Sequence, residues 1–360
     1  MAAVNTTGPA PYIYACTRMR VRKASLLPHE EYMRMLNMEL PEIARFIEET
    51  NYKTEIDELA SSFSGIDLME IGLSWNLAKE YQRIIALVPG HLKAFTKSYL
   101  LKWDILNMLT ILRGKNQGVS AGKIKEILIP AGSLDKDSLD KLLAEDSTDR
   151  IIDSLKGHML YDVFEQEIAA AVESGSFSRM ENELYKAYYA ILIKESKSGV
   201  RGGHAFLKYV RLDIDTKNLE TVFRVKGETD TESIRNLLID GGSFSADELV
   251  RFSGMENIDE MIDSVKKRMK TGSFDAVFEA VSEKKPVQEL EVGLITAKLA
   301  EMDRLSKLYP MSVAPILLYL EMKHYEVTNL RAIARGKESN LPNENIKACM
   351  VVLNGNSSSW

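Results

Sequence analysis
The sequence predicts an all-α protein assembled from three similar helical units, and three observations carry that reading. One twelve-residue stretch occurs three times at a fixed spacing. Apolar residues recur at three and four spacing through long segments, as on the buried face of a helix. Alternation of the kind a half-buried strand needs is scarce.

The repeated stretch is Asp104–Lys115 (DILNMLTILRGK), Asp215–Lys226 (DTKNLETVFRVK) and Glu326–Lys337 (EVTNLRAIARGK). Asn107, Asn218 and Asn329 lie 111 residues apart, as do Arg113, Arg224 and Arg335 and the three closing lysines. Other blocks keep nearly the same period. IKEILIPAGSL at Ile124–Leu134 returns as IRNLLIDGGSF at Ile234–Phe244, and IDSLK at Ile152–Lys156 returns as IDSVK at Ile262–Lys266. Met19–Leu26 and Pro41–Ile47 sit near the matching places of a first unit, and Asn345–Leu353 opens a fourth that is not finished. The units are therefore placed at 12–116, 117–227 and 228–340. A closing helix over 341–353 and a polar tail, Asn354–Trp360, make up 341–360.

Helical periodicity is clearest in Leu73–Leu87, Leu139–Leu155 and Leu290–Leu308. Ser245–Glu248 and Thr229–Glu232 have the capping-box pattern, in which a hydroxyl takes a backbone N–H and a glutamate reaches back. Pro28, Pro41 and Pro130 suit helix starts or stops. Gly90, Gly132, Gly202, Gly203, Gly241 and Gly242 fall between helices.

Composition narrows the function classes. The 46 basic and 52 acidic residues give a net charge of −6, which argues against a nucleic-acid binder. A hydrophobic share of 45% with 27% charged residues is that of a water-soluble globular chain, and at 360 residues it exceeds one ordinary core. No apolar run approaches the ~20 residues of a membrane span, and the N-terminus lacks the basic and apolar regions of a signal peptide. Cys16 and Cys349 are too few for a disulfide framework and are expected as free core thiols in a reducing compartment.

On a helix, Asp104, Asn107, Met108, Ile111 and Lys115 form one stripe, and the other two copies repeat it. Two readings of this stripe are open. In the first, acid and amide bond to a neighbouring helix or a helix N-terminus, and the basic pair satisfies the last carbonyls. In the second, the basic ends form a ring facing an acidic or carbonyl-rich partner. The partner-facing candidates are Arg113, Arg224 and Arg335, with Arg20 and Arg22 from the basic cluster Arg18–Lys23. A second basic cluster, Lys266, Lys267, Arg268 and Lys270, is expected on a solvated helix face.

Catalytic, cofactor and metal chemistry find no pattern. Ser198–His204 is glycine-rich but lacks the Lys-Ser/Thr end of a phosphate loop. Glu321 and His324 form one E-x-x-H, half of a di-iron motif. The preceding units carry Val210 with Asp213, and Tyr99 with Lys102, in its place. A surface or packed histidine is expected there.

Tyr14–Arg20 (YACTRMR), the stretch Asn107–Lys115 with its two echoes, and the total length together resemble the C subunit of archaeal A-type ATP synthases, whose eukaryotic counterpart is the d subunit of vacuolar ATPases. The likeness covers roughly residues 12–353. It implies three helical domains in a pseudo-threefold funnel without an active site or cofactor. It also implies a place on the cytoplasmic face of the membrane, between the proteolipid rotor ring and the central shaft, in a machine that couples ATP synthesis to proton or sodium transport. The rival reading is a soluble helical-repeat adaptor outside any rotary machine. A period of 111 residues in only three copies favours a closed body over a solenoid of short repeats.

Overall fold
The computed structural model describes residues 10–227, 230–269, 272–282 and 287–353. Among them there is no strand, and no helix is long and apolar enough to cross a membrane. Met1–Pro9, Thr229, Lys270 and the tail Asn354–Trp360 lie outside the described residues.

Six long helices carry the architecture, as three pairs: Gly65–Leu87 with Gly90–Asn116, Ser178–Ser196 with Gly203–Arg224, and Val287–Leu308 with Ala314–Glu338. The second helix of each pair ends in the repeated stretch. These helices bury side chains on every side: Phe95, Tyr99, Leu100, Leu101 and Trp103 all lie in the core. A helix apolar all round belongs inside a large core. Gly90 opens its helix from a backbone at φ +53, and Gly202 precedes the next at φ +94. Both are left-handed values that glycine adopts without a Cβ penalty.

The pairs are joined in sequence, and the last returns to the first. Gly90–Asn116 packs on Ser178–Ser196, Gly203–Arg224 on Val287–Leu308, and Ala314–Glu338 on Gly65–Leu87. Inside the first pair, Tyr81 meets Trp103 edge to face at 6.0 Å. The N-terminal helix Ala10–Ala24 lies along Ala314–Glu338, where the Cys16 thiol donates to the Ser312 carbonyl at 3.4 Å. Cys16 is buried and Cys349 half-buried, so only Cys16 is a core thiol. Burial pushes its thiol up to about 11, against the nearby Arg20.

Short amphipathic helices fill the intervals. Leu40–Glu48 buries Ile43 and Ile47 behind a capping box between Glu39 and Glu42, with Pro41 in its first turn. Ala246–Ser253 buries Leu249 and Phe252 behind the expected box of Ser245 and Glu248. Helix Thr231–Leu237 is capped by Asp230, which accepts from the N–H groups of Glu232 and Ser233.

Two helices are shorter than the periodicity suggests. The Leu139–Leu155 periodicity is split into Lys136–Ala144 and Thr148–Ser154. The break has a cause: Lys115 Nζ takes the carbonyls of Leu143 and Glu145 at 2.8 and 2.7 Å, and Ser147 caps the second helix. The closing helix spans only Asn343–Ala348, because Val351 beyond it bonds to Asn329 through its backbone.

Candidate functional site
The repeated stretch is the best-defined polar construction in the molecule. Asn107 donates to the Ile129 carbonyl at 2.7 Å and accepts from the Ile129 N–H at 2.9 Å. Asn218 does the same to Ile239, at 2.8 and 2.9 Å, and Asn329 to Val351, at 2.8 and 2.9 Å. Each amide therefore stands in for a strand partner and satisfies both polar groups of one buried residue.

The acids sit one turn earlier. Asp104, wholly buried, accepts from Ser133 N–H at 2.9 Å, Ser133 hydroxyl at 2.6 Å and Leu134 N–H at 3.0 Å, with His158 Nε2 at 3.2 Å. Asp215 accepts from Ser243 N–H at 2.7 Å. Burial raises its pKa above the ordinary carboxyl value, against the bonds from Ser243 and Phe244. Glycine makes this approach possible: a Cβ on Gly132 would lie 2.1 Å from Asp104 Oδ1, and one on Gly242 2.3 Å from Asp215 Oδ1. Glu326 is answered from the other end of the chain, by Leu27 N–H at 2.7 Å and the Tyr52 hydroxyl at 2.5 Å, with Lys323 at 2.8 Å. Acid and amide thus grip loop and turn backbone rather than a neighbouring helix face.

The arginines follow the same cyclic order. Arg113 pairs with Glu181 at 2.6 Å, Arg224 with Glu291 at 2.6 Å, and Arg335 with Glu70 through Nε at 2.6 Å. Each bond runs from one pair to the first helix of the next. The arginine side chains stay substantially exposed, at 41%, 65% and 55%. Arg22 pairs with Glu80, which also accepts from the Tyr319 hydroxyl at 2.8 Å, while exposed Arg20 donates to the Pro310 carbonyl at 3.1 Å. The basic pair does not serve its own helix end alone: Lys115 caps Ala144's helix, and Lys226 reaches the Met255 carbonyl. The second copy differs because Val225 replaces the glycine. Gly114 and Gly336 let Ile124 and Ile346 pack where a Cβ would sit, within 2.6 and 2.5 Å. The second helix instead ends at Arg224.

Sequence reasoning missed two things. Glu70, Glu181 and Glu291 lie 111 and 110 residues apart, close to the period of the arginines they bind, so a search for a second acidic series would have found them. The other is a buried ionic layer where the repeated helices meet. Phe95 stacks on Phe206 with centroids 4.6 Å apart, Tyr99 meets Tyr209 at 5.5 Å, and Trp103 meets His324 at 5.3 Å. Beside these rings, Glu321 accepts from Lys102 at 2.5 Å and Lys298 at 3.0 Å, and also from the Tyr99 hydroxyl. Lys298 reaches Asp213 at 3.0 Å, and the Tyr189 hydroxyl donates to Asp213 at 2.7 Å. The E-x-x-H pair is thereby accounted for: its carboxylate is held by ammonium and phenol groups, and its imidazole lies against Trp103.

The electrostatics follow from burial and these contacts. Burial would raise Asp213, but Lys298, with Lys217 and Lys102, outweighs it and holds the carboxyl at about 2. Burial would lower Lys298, but Asp213 overrides it and raises its pKa. Burial pushes the Glu321 carboxyl up to about 8 and the Lys102 ammonium down to about 7. His324 is pushed down to about 3 by burial and by the nearby Lys102, Lys298 and Arg331, so it is neutral in this site. The layer is arranged for pairing, with each ionised group answered by an opposite one.

Comparison with known proteins agrees with this architecture. The family described as ATP synthase (C/AC39) subunit matches residues 15–349. The C subunit of the A-type ATP synthase of Methanosarcina acetivorans is 36% identical over 351 residues, covering 96% of this chain and 94% of the relative. The protein of the same name from Archaeoglobus fulgidus is 34% identical, covering 96% and 97%. That of Halobacterium salinarum is 31% identical, covering 97% and 100%. The chain belongs to the ATP synthase (C/AC39) subunit family.

Proposed function
We propose that this chain is the non-catalytic spacer of the central stalk in an A/V-type rotary ATP synthase, seated on the cytoplasmic end of the proteolipid rotor ring and holding the tip of the central shaft. The observation that carries the reading is the cyclic closure of three helix pairs, made final by Arg335 on Glu70. In this reading the pairs belong to three domains, at 12–116, 117–227 and 228–340, set about a pseudo-threefold axis. The contacts between repeated helices engage their first halves (Phe95, Tyr99, Trp103), while their second halves bind loops through Asp104 and Asn107. That is the pattern of a body that narrows at one end and opens at the other. Close-packed helices have low compressibility, which suits a part that passes torque from a ring to a shaft. The relatives, named as C subunits of A-type ATP synthases, match over nearly their whole length, which supports the same assignment.

The exposed sides of Arg113, Arg224 and Arg335, with Arg20 and Arg22, are the groups proposed to face partners. Purification from native membranes in gentle detergent tests the function: catalytic subunits and the proteolipid ring are expected to come with the chain, and loss of both overturns it. Charge reversal of Arg113, Arg224 and Arg335 together tests the surface. Weaker retention on the ring is expected, and unchanged retention leaves the three arginines as joints only.

A further inference from the structure
We propose that the buried ionic layer selects a three-pair ring closed within one chain over a six-pair ring of two chains. The joints between pairs are heterologous: an arginine at the end of one pair meets a glutamate at the start of the next, as Arg113–Glu181, Arg224–Glu291 and Arg335–Glu70. A heterologous joint carries no instruction to stop at three, since the same contact repeated at a slightly different rotation closes a larger ring. Two chains joined Arg335 to Glu70 across each other would make six pairs and keep every such joint.

The layer is broken in that arrangement. Lys102 on Glu321 ties the first pair to the third at 2.5 Å, and Lys298 on Asp213 ties the third to the second at 3.0 Å. The first bond exists because the repeated helices meet at one centre, and six cannot meet there, whereas the second lies in the joint between Gly203–Arg224 and Val287–Leu308 that either ring keeps. Opening the ring would take the Lys102 ammonium and the Tyr99 hydroxyl from Glu321, which is 1% exposed, and leave it Lys298 alone. Stripping partners from a buried carboxylate costs more than forming the pairs gains, so the contact of Lys102 with Glu321 acts mainly against the wrong assembly. The residues support this reading. Lys102, Asp213 and His324 occupy one repeat position, and so do Tyr99, Val210 and Glu321. Each trio has diverged to a cation, an anion and a neutral ring, or to a phenol, an apolar residue and an acid.

The test is refolding from denaturant at tens of micromolar chain, followed by light scattering. The wild-type chain is expected as monomer. The double substitution Lys102→Met with Glu321→Leu leaves Lys298 paired with Asp213 and is expected to raise the dimer fraction at least tenfold. Lys102→Met alone keeps Glu321 on Lys298, so it folds if the double variant does not, and it is expected to shift the same way by a smaller factor. A short bis-maleimide linker between cysteines placed at Glu70 and Arg335 then reports the joint. It should close within one chain in the wild-type background and between chains in the dimer. Monomer from both layer variants, or as much dimer from the wild type, overturns the proposal. So does a dimer whose linker still closes within each chain.

Discussion

Asn107, Asn218 and Asn329 do one thing three times; Lys102, Asp213 and His324 share a repeat position and do three different things. The difference lies in where each trio sits. Each amide binds its own loop, so one solution serves all three. The second trio faces the centre, where identical charges would converge and repel. Repetition is stable away from an axis and unstable on it, so divergence in a repeat protein can mark the positions that meet.

That contrast can be broken from either side. The largest effect is expected at the centre: Lys298→Met should cost ~3–5 kcal/mol, because it strips Asp213 of its cation and Glu321 of one of two. A urea titration showing less than ~1 kcal/mol would mean the layer is not an ionic network. Next come the amides. Asn107→Ala, Asn218→Ala and Asn329→Ala each orphan a buried N–H and C=O and should each cost ~2–4 kcal/mol. Their near equality is the point, and a threefold disparity in denaturant midpoints would show that the copies are not equivalent. Gly132→Ala and Gly242→Ala push a Cβ against buried carboxylates and should cost ~1–3 kcal/mol, with thermal unfolding as the measure.

A pH series sharpens the central side. His324 binds its proton near pH 3 in the folded chain and near 6.5 when unfolded. Between those values the unfolded state holds the extra proton, so stability falls as pH drops from about 6.5 towards 3, by at most ~1.4 kcal/mol per unit. His324→Phe should flatten that part of the curve. Unchanged slope would assign the acid sensitivity elsewhere. The smallest effects belong to the joints. Arg113→Ala, Arg224→Ala and Arg335→Ala should each cost under ~1 kcal/mol, and less in high salt, because their side chains remain exposed.

How much of this is legible in the sequence follows from the kind of partner each residue has. The period, the helices and the acid-amide stripe are readable because side chains carry them. The answering groups are not. Ile129, Ile239 and Val351 contribute only backbone N–H and C=O, which any residue supplies. Lys115 ending a helix at Leu143 is hidden for the same reason, so Leu139–Leu155 reads as one helix. At the centre, Glu321 and His324 stand out in the sequence as half a metal motif. The missing second half is the informative part, since Lys102 and Asp213 stand where it would be. In the candidate site, sequence points to the five arginines, while the glutamates that four of them bind go unnoticed.

The bond of Arg335 to Glu70 also has a meaning in time. Its two residues are 265 positions apart. At ~5–20 residues per second of synthesis, helix Gly65–Leu87 emerges roughly 13–53 s before the helix that covers it. Until then the face carrying Glu70 has no final neighbour on the ribosome, whereas Arg113 meets Glu181 after only 68 positions. The closing joint is therefore the slowest to arrive and the one most open to a second nascent chain.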